Sequence, residues 1–243
     1  MKYYLFSFLN YFGDDRVFVL ETKQKFWTWD LIKKDWEYFL NLGEKISWQQ
    51  KYDKKIEKDD FEIYIKWFLS KNTLEIVHFM VYQYFSTYKK ILNLFMDLEI
   101  WNLLRYRIEK TKKTSYKEAI IDYPKSKLEF TDKKKDWQIL IVFSDLLTLK
   151  NYCELELDIL HGSSTQAIKN KIFWKIKSWD TWIFLCTYSQ IFKDYQNLKE
   201  IIMIDSHKRY YKSQQDPRYL TNTVLEKMSE IYWARLSSYG FMM

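Results

Sequence analysis

The chain has 243 residues, 47% of them apolar and 20% aromatic, with 39 Lys and Arg against 32 Asp and Glu, a net charge of +7 and a pI near 9.0. That length can bury a sizeable core, in one large domain or two small ones. Only 4 Gly and 2 Pro leave little material for tight turns or a Gly-rich phosphate loop, which argues against an all-β architecture, while a modest basic excess suits a polyanionic partner.

The first residues, Met1 to Phe12, are aromatic and carry no small-residue cleavage site of the secretory kind. Gly13-Asp14-Asp15 reads as a turn and Arg16 to Leu20 as a short strand. From Phe26 to Trp48, Trp29, Trp36, Phe39 and Leu40 recur at helical spacing. The charged stretch Lys51 to Asp60 marks a boundary between an N-terminal extension, residues 1–60, and a main domain, residues 61–243. Phe61 to Asn93 is the clearest helical region, with Ile63, Trp67, Leu74, Val77, Val81 and Tyr84 on one stripe. Helix continues over Leu98 to Arg107, and Lys110 to Ser115 is a basic break.

Tyr116 to Ile121 reads as a short helix ended by Asp122-Tyr123-Pro124, since proline biases the residue before it away from the α region. Lys127 to Thr131 and Glu154 to Leu160 alternate apolar and polar residues, as strands do. They are expected to form a hairpin within about residues 126–160, with Asp132 to Asp136 as a charged turn. Trp137 to Leu149 is compatible with a buried strand or a helix. Gly162-Ser163-Ser164-Thr165 opens a helical zone, Gln166 to Asp194, read as two helices broken near Ser178 to Asp180. A last helix starts at a capping box, Thr223 to Glu226, and runs to about Tyr239 with Gly240 as its stop. The expected fold is mainly α: a helical bundle-like domain with one β-hairpin, behind an N-terminal extension.

Site chemistry is sparse. There is no nucleophile elbow or nucleotide loop, and His78, His161 and His207 stand apart without a second ligand at metal spacing. Cys153 and Cys186 are too few for a disulfide framework and read as small semi-apolar residues. The longest apolar runs, Trp137 to Leu149 and Trp179 to Phe192, are interrupted by Asp145 and Asp180, so no membrane span is expected. A non-catalytic protein without a cofactor or metal follows. Eleven Trp in a chain rich in Lys, Ile, Tyr, Phe and Asn point to an AT-rich gene whose code also reads a stop triplet as Trp. Many mitochondria and wall-less bacteria use such a code.

Four stretches, in order, resemble one family. They are Tyr64 to Phe85, including Met80-Val81-Tyr82; Lys117 to Pro124 with Lys127 to Phe130; Glu154 to Leu160 followed by Ala167, Lys169, Lys177 and Asp180; and Lys227 to Arg235. They look like ribosomal protein seven of the small subunit, over about residues 61–241. The resemblance implies a mitochondrial-type structural component of the ribosome, in the matrix, that binds small-subunit rRNA in the head near the tRNA exit site. Neighbouring ribosomal proteins, and tRNA and mRNA at the exit site, would be its other partners. The basic residues expected to neutralise RNA phosphates are Lys169, Lys171, Lys175 and Lys177 after the hairpin, Arg105, Arg107, Lys112 and Lys113 before it, and Arg235 in the last helix. A rival expectation is a non-catalytic accessory subunit of a mitochondrial respiratory complex.

Overall fold

The longest apolar runs of this chain lie in strands as well as helices, and the fold is mixed α/β rather than mainly helical. A computed structural model describes residues 2–8, 17–43, 55–56, 61–107, 118–123, 126–131, 137–152, 159–206, 211–213 and 216–240. The chain divides into two compact units. Unit 1 is Met1–Asn93 with Asp97–Leu104, and unit 2 is Leu94–Met96 with Arg105–Met243. Residues 1–60 are therefore not set apart as an extension, because the unit that contains them runs on to Leu104.

Unit 1 is built on a six-stranded sheet of β1 (Lys2–Ser7), β2 (Val17–Glu21), β3 (Leu31–Lys34), β4 (Glu37–Gly43), β5 (Lys55–Ile56) and β6 (Glu62–Ile65), in the order β5-β2-β1-β4-β3-β6. The helix expected over 26–48 is instead the β3–β4 hairpin, paired from Leu31↔Leu40 to Lys34↔Glu37. Six successive residues of β4, Tyr38 to Gly43, are buried. A sheet covered on both faces reads as a continuous apolar run, and in this segment that run coincides with helical spacing. One face gathers Tyr3, Leu5, Leu20, Phe26, Ile32, Phe39 and Phe61 into a core. Three helices follow: α1 (Lys71–Gln83), α2 (Tyr88–Phe95) and α3 (Ile100–Arg105). The Ser70 hydroxyl caps α1 by accepting from the Thr73 N–H at 3.1 Å, so the helical zone expected from Phe61 begins ten residues later.

Unit 2 opens with a two-stranded ribbon, β7 (Glu118–Tyr123) and β8 (Ser126–Thr131). The short helix expected over 116–121 is thus a strand. The hairpin expected over 126–160 has a different partner: β8 turns back onto β7, and the two-residue β10 (Ile159–Leu160) lies parallel in another sheet. That second sheet also contains β9 (Gln138–Phe143), β11 (Ile183–Thr187), β12 (Leu198–Ile204) and β13 (Arg235–Tyr239). Its order is β10-β11-β9-β12-β13 and every pairing is parallel. The crossovers carry α4 (Leu146–Tyr152), α5 (Gln166–Lys177) and α6 (Thr221–Tyr232), with a 3-10 turn at Tyr188–Gln190. Ile139, Ile141, Phe143, Ile183, Leu185, Ile202 and Ile204 form its fully buried centre with Leu149. The second half of the expected 166–194 helical zone is therefore β11. The terminal helix stops at Tyr232, not near Gly240, and its N-cap is Leu220 with no side-chain hydrogen bond, so the capping box is absent. No described helix is long and apolar enough to cross a membrane. The turns expected at Gly13–Asp15 and Asp132–Asp136, the break at Lys110–Ser115 and most of the charged 51–60 stretch lie outside the described residues.

Candidate nucleic-acid interface

The helix expected to carry the basic contacts is present, but its lysines do not share a face. At about 100° per residue, Lys171 and Lys175 fall one turn apart on one side of α5, and Lys169 and Lys177 fall on another. Lys171 is exposed, and the other three are half-buried. Lys177 is committed elsewhere: its Nζ lies 2.6 Å from Oδ2 of Asp194, a carboxylate with no solvent exposure. A buried pair of this kind cannot release its lysine to a phosphate without stranding the aspartate. Lys171 is the exposed member of the expected stripe, with Lys175 one turn on.

The other predicted contacts separate similarly. Arg105 and Arg107 are exposed, and the Arg107 guanidinium stands 5.9 Å from the Trp174 ring centroid of α5, a distance at which the cation is attracted to the ring face. Arg235 is exposed at the start of β13 rather than in a helix, with Glu200 as its register partner across β12. Lys112 and Lys113 lie outside the described residues. One cation that sequence reasoning missed is Lys193, 3% exposed, whose Nζ donates to the Phe192 carbonyl at 2.8 Å. Burial among apolar neighbours pushes its pKa down to about 8, with the Lys169 charge adding to the shift. Cys186 beside it is buried and its thiol is pushed well up, which leaves it unreactive.

Charge is segregated between the units. Unit 1 holds 15 basic and 15 acidic residues, whereas unit 2 holds 24 and 17. The whole positive excess belongs to the α/β unit.

Topology marks a second feature of unit 2. From β9 the chain leaves toward β10 on one side of the sheet, and from β12 toward β13 on the other. The carboxyl ends of these neighbours, in register at Phe143↔Ile204, are where open α/β sheets have their ligand crevice. Asp145 and Asp205 follow those ends. The Asp145 carboxylate accepts from the Thr148 N–H at 2.7 Å and from the Ser144 and Thr148 hydroxyls at 2.8 Å, so it already caps α4. Asp205 is 4% exposed and left-handed at φ 54°, and its N–H donates to the Tyr239 carbonyl at 2.6 Å. Aspartate tolerates that conformation better than most residues, and such strained positions gather at functional sites. The Tyr211 hydroxyl donates between the carbonyls of Val142, at 3.0 Å, and Ile204, and ties the two strand ends together. Along the same edge Ser163 Oγ and His161 Nδ1 are 2.8 Å apart. The pair belongs to one exposed turn, and no described carboxylate orients the imidazole. Among the described residues no three His, Cys, Asp or Glu side chains are grouped to hold a metal.

No family model and no curated protein matches the chain.

Proposed function

We propose that this protein binds nucleic acid and that unit 2 is the part that holds it. The supporting observation is the segregation of charge: unit 1 is neutral and unit 2 carries the full +7. Lysine and arginine bind a phosphate backbone by displacing its condensed counterions, a contact that needs positive charge but no sequence code. Lys171, Lys175, Arg105 and Arg107 are the described residues best placed to take part. Small-subunit rRNA belongs to this proposal as one such polymer. The resemblance that suggested it requires a helical body with a hairpin over 126–160, so the charge carries the reading without it. Affinity of the full chain for a short single-stranded RNA should fall steeply between about 50 and 200 mM salt. Replacing Lys171 and Lys175 with Gln should lower the log–log slope by about one to two. A slope near zero in the unaltered protein contradicts the proposal.

The carboxyl ends of β9 and β12, each followed within two residues by an aspartate, support a second, compatible reading: a nucleotide held there through a divalent cation. Asp145 and Asp205 favour a cation over a bare phosphate, because the Asp145 carboxylate already accepts from the Thr148 N–H at the start of α4. ATP with magnesium should then raise the melting temperature where ATP alone does not, and Asp205→Asn should remove the shift. An equal shift with ATP alone contradicts this reading.

A further inference from the structure

Three tryptophans stand at the amino edge of the second sheet, the edge opposite Asp145 and Asp205. Every pairing in that sheet is parallel, so the starts of β9, β11, β12 and β13 share this edge. The ends of α5 and α6, which lead into β11 and β13, reach it too. Trp137 immediately precedes β9, Trp179 lies in the turn between α5 and β11, and Trp233 lies in the turn between α6 and β13. They are 37%, 44% and 87% exposed. Only β12 separates β9 from β13, which puts those two strand axes about 10 Å apart. Trp182, by contrast, packs against the core of the sheet.

Two of these rings are costly to keep. Trp179 and Trp233 are left-handed, at φ 63° and 53°, in seats where glycine is unstrained, and strained residues of this kind gather at functional sites. The edge beneath them is fixed. Gln138 is 3% exposed and its amide is fully engaged: Nε2 donates to the carbonyls of Ile176, at 2.8 Å, and Thr181, at 3.2 Å, while Oε1 accepts from the N–H groups of Gln196, at 2.8 Å, and Asn197, at 3.3 Å. One buried side chain thus ties the end of α5 to the start of β9 and to the approaches of β11 and β12. Lys199 Nζ donates to the Tyr232 carbonyl at 3.4 Å and ties the end of α6 to β12.

We propose, building on the nucleic-acid reading of unit 2, that this amino edge is a platform for a single strand, with unpaired bases stacked on Trp137, Trp179 and Trp233. Cations stand among the rings: Lys199 and Arg235 are exposed, and Lys175 is half-buried in the last turn of α5. The acids of the edge are engaged. Asp194 holds Lys177, Asp180 accepts from the Ser178 hydroxyl at 2.6 Å, and Glu200 is the register partner of Arg235. An unpaired base offers its π face to any such ring while the phosphates between bases meet the cations, a combination that needs no sequence code. A duplex keeps its bases stacked on one another and offers its backbone alone. The rings are also set among polar neighbours, Ser178 and Asp180 beside Trp179 and Gln138 beside Trp137, which suits bases better than the apolar centre of a protein contact.

Affinities of the full chain for oligothymidylate and for an abasic deoxyribose-phosphate chain of equal length, measured at low salt, test the platform. The two chains carry the same charge and differ in their bases. The expected result is tighter binding of the oligothymidylate, by about tenfold for each base stacked. Trp233→Gly and Trp179→Gly should each lower that preference by about tenfold and leave affinity for the abasic chain unchanged, whereas Trp233→Phe should keep much of the preference. Both glycine replacements relieve a strained backbone, so a melting temperature no lower than that of the unaltered protein keeps folding out of the comparison. Equal affinity for the two chains overturns the platform and leaves the nucleic-acid reading standing. A preference that none of the replacements moves does the same, and is the outcome expected of rings that serve a protein contact. Binding of neither chain overturns both.

Discussion

At the scale of single residues, the ends of α1, α5 and α6 share one device. In each, the amide two positions beyond the last full turn reaches back across it: Ser86 to the Val81 carbonyl at 3.2 Å, Asp180 to Lys175 at 2.9 Å, and Ala234 to Ser229 at 2.9 Å. The residue between is left-handed, and in this chain it is Phe85, Trp179 or Trp233, with φ of 48°, 63° and 53°. Glycine usually occupies that seat, because a side chain there crowds the backbone at a cost of about 1–2 kcal/mol. With 4 Gly in the chain, aromatic residues take it instead. This is why the end of α6 is assigned to Gly240 from sequence: the residue that performs the stop does not look like one. Trp233 is 87% exposed, so its ring contributes little packing to offset the strain. Trp233→Gly should stabilise unit 2 by about 1 kcal/mol, raising the denaturation midpoint. A lower midpoint would mean that the indole is anchored against something.

At the scale of elements, sequence reading succeeded where a local signal was sufficient and failed where the partner was distant. The stripe over Leu74, Val77 and Val81 places α1 correctly, because its buried face repeats every three or four residues. Thr165 marks the start of α5 for a local reason as well: its hydroxyl accepts from the Ile168 N–H. β11 gave no such signal. All five of its residues are buried, and a strand covered on both faces has neither alternation nor helical period to read. β8 shows a subtler failure. Alternation over 127–131 identifies a strand, but it does not name the neighbour, and the neighbour is β7 only a few residues upstream. The same limit applies to the candidate site. The lysines of α5 are plain in the sequence, yet Asp194, which claims Lys177, is 17 positions away. Asp205 follows an apolar run, Ile201 to Ile204, and that strand-end acid was the pointer in the sequence to the carboxyl edge of the second sheet.

For the whole molecule, the division into a neutral sheet-and-helix unit and a basic parallel α/β unit replaces the expected helical body. It also changes what the basic charge means. Spread over the chain, +7 is unremarked among soluble proteins, but it falls wholly within the 142 residues of unit 2, and that is the ground for proposing a polyanionic partner there. A neutral unit 1 with exposed aromatics is suited to protein contact, since such contacts are enriched in aromatic residues and depleted in charge at their centres. Lysine acetylation footprinting of the full chain, with and without a short single-stranded RNA at low salt, tests this division most directly. The account predicts protection of lysines from residue 105 onward, Lys171 among them, with those of unit 1 reacting as in the free protein. Protection centred on residues 1–104, or none at all under conditions where RNA is bound, would contradict it.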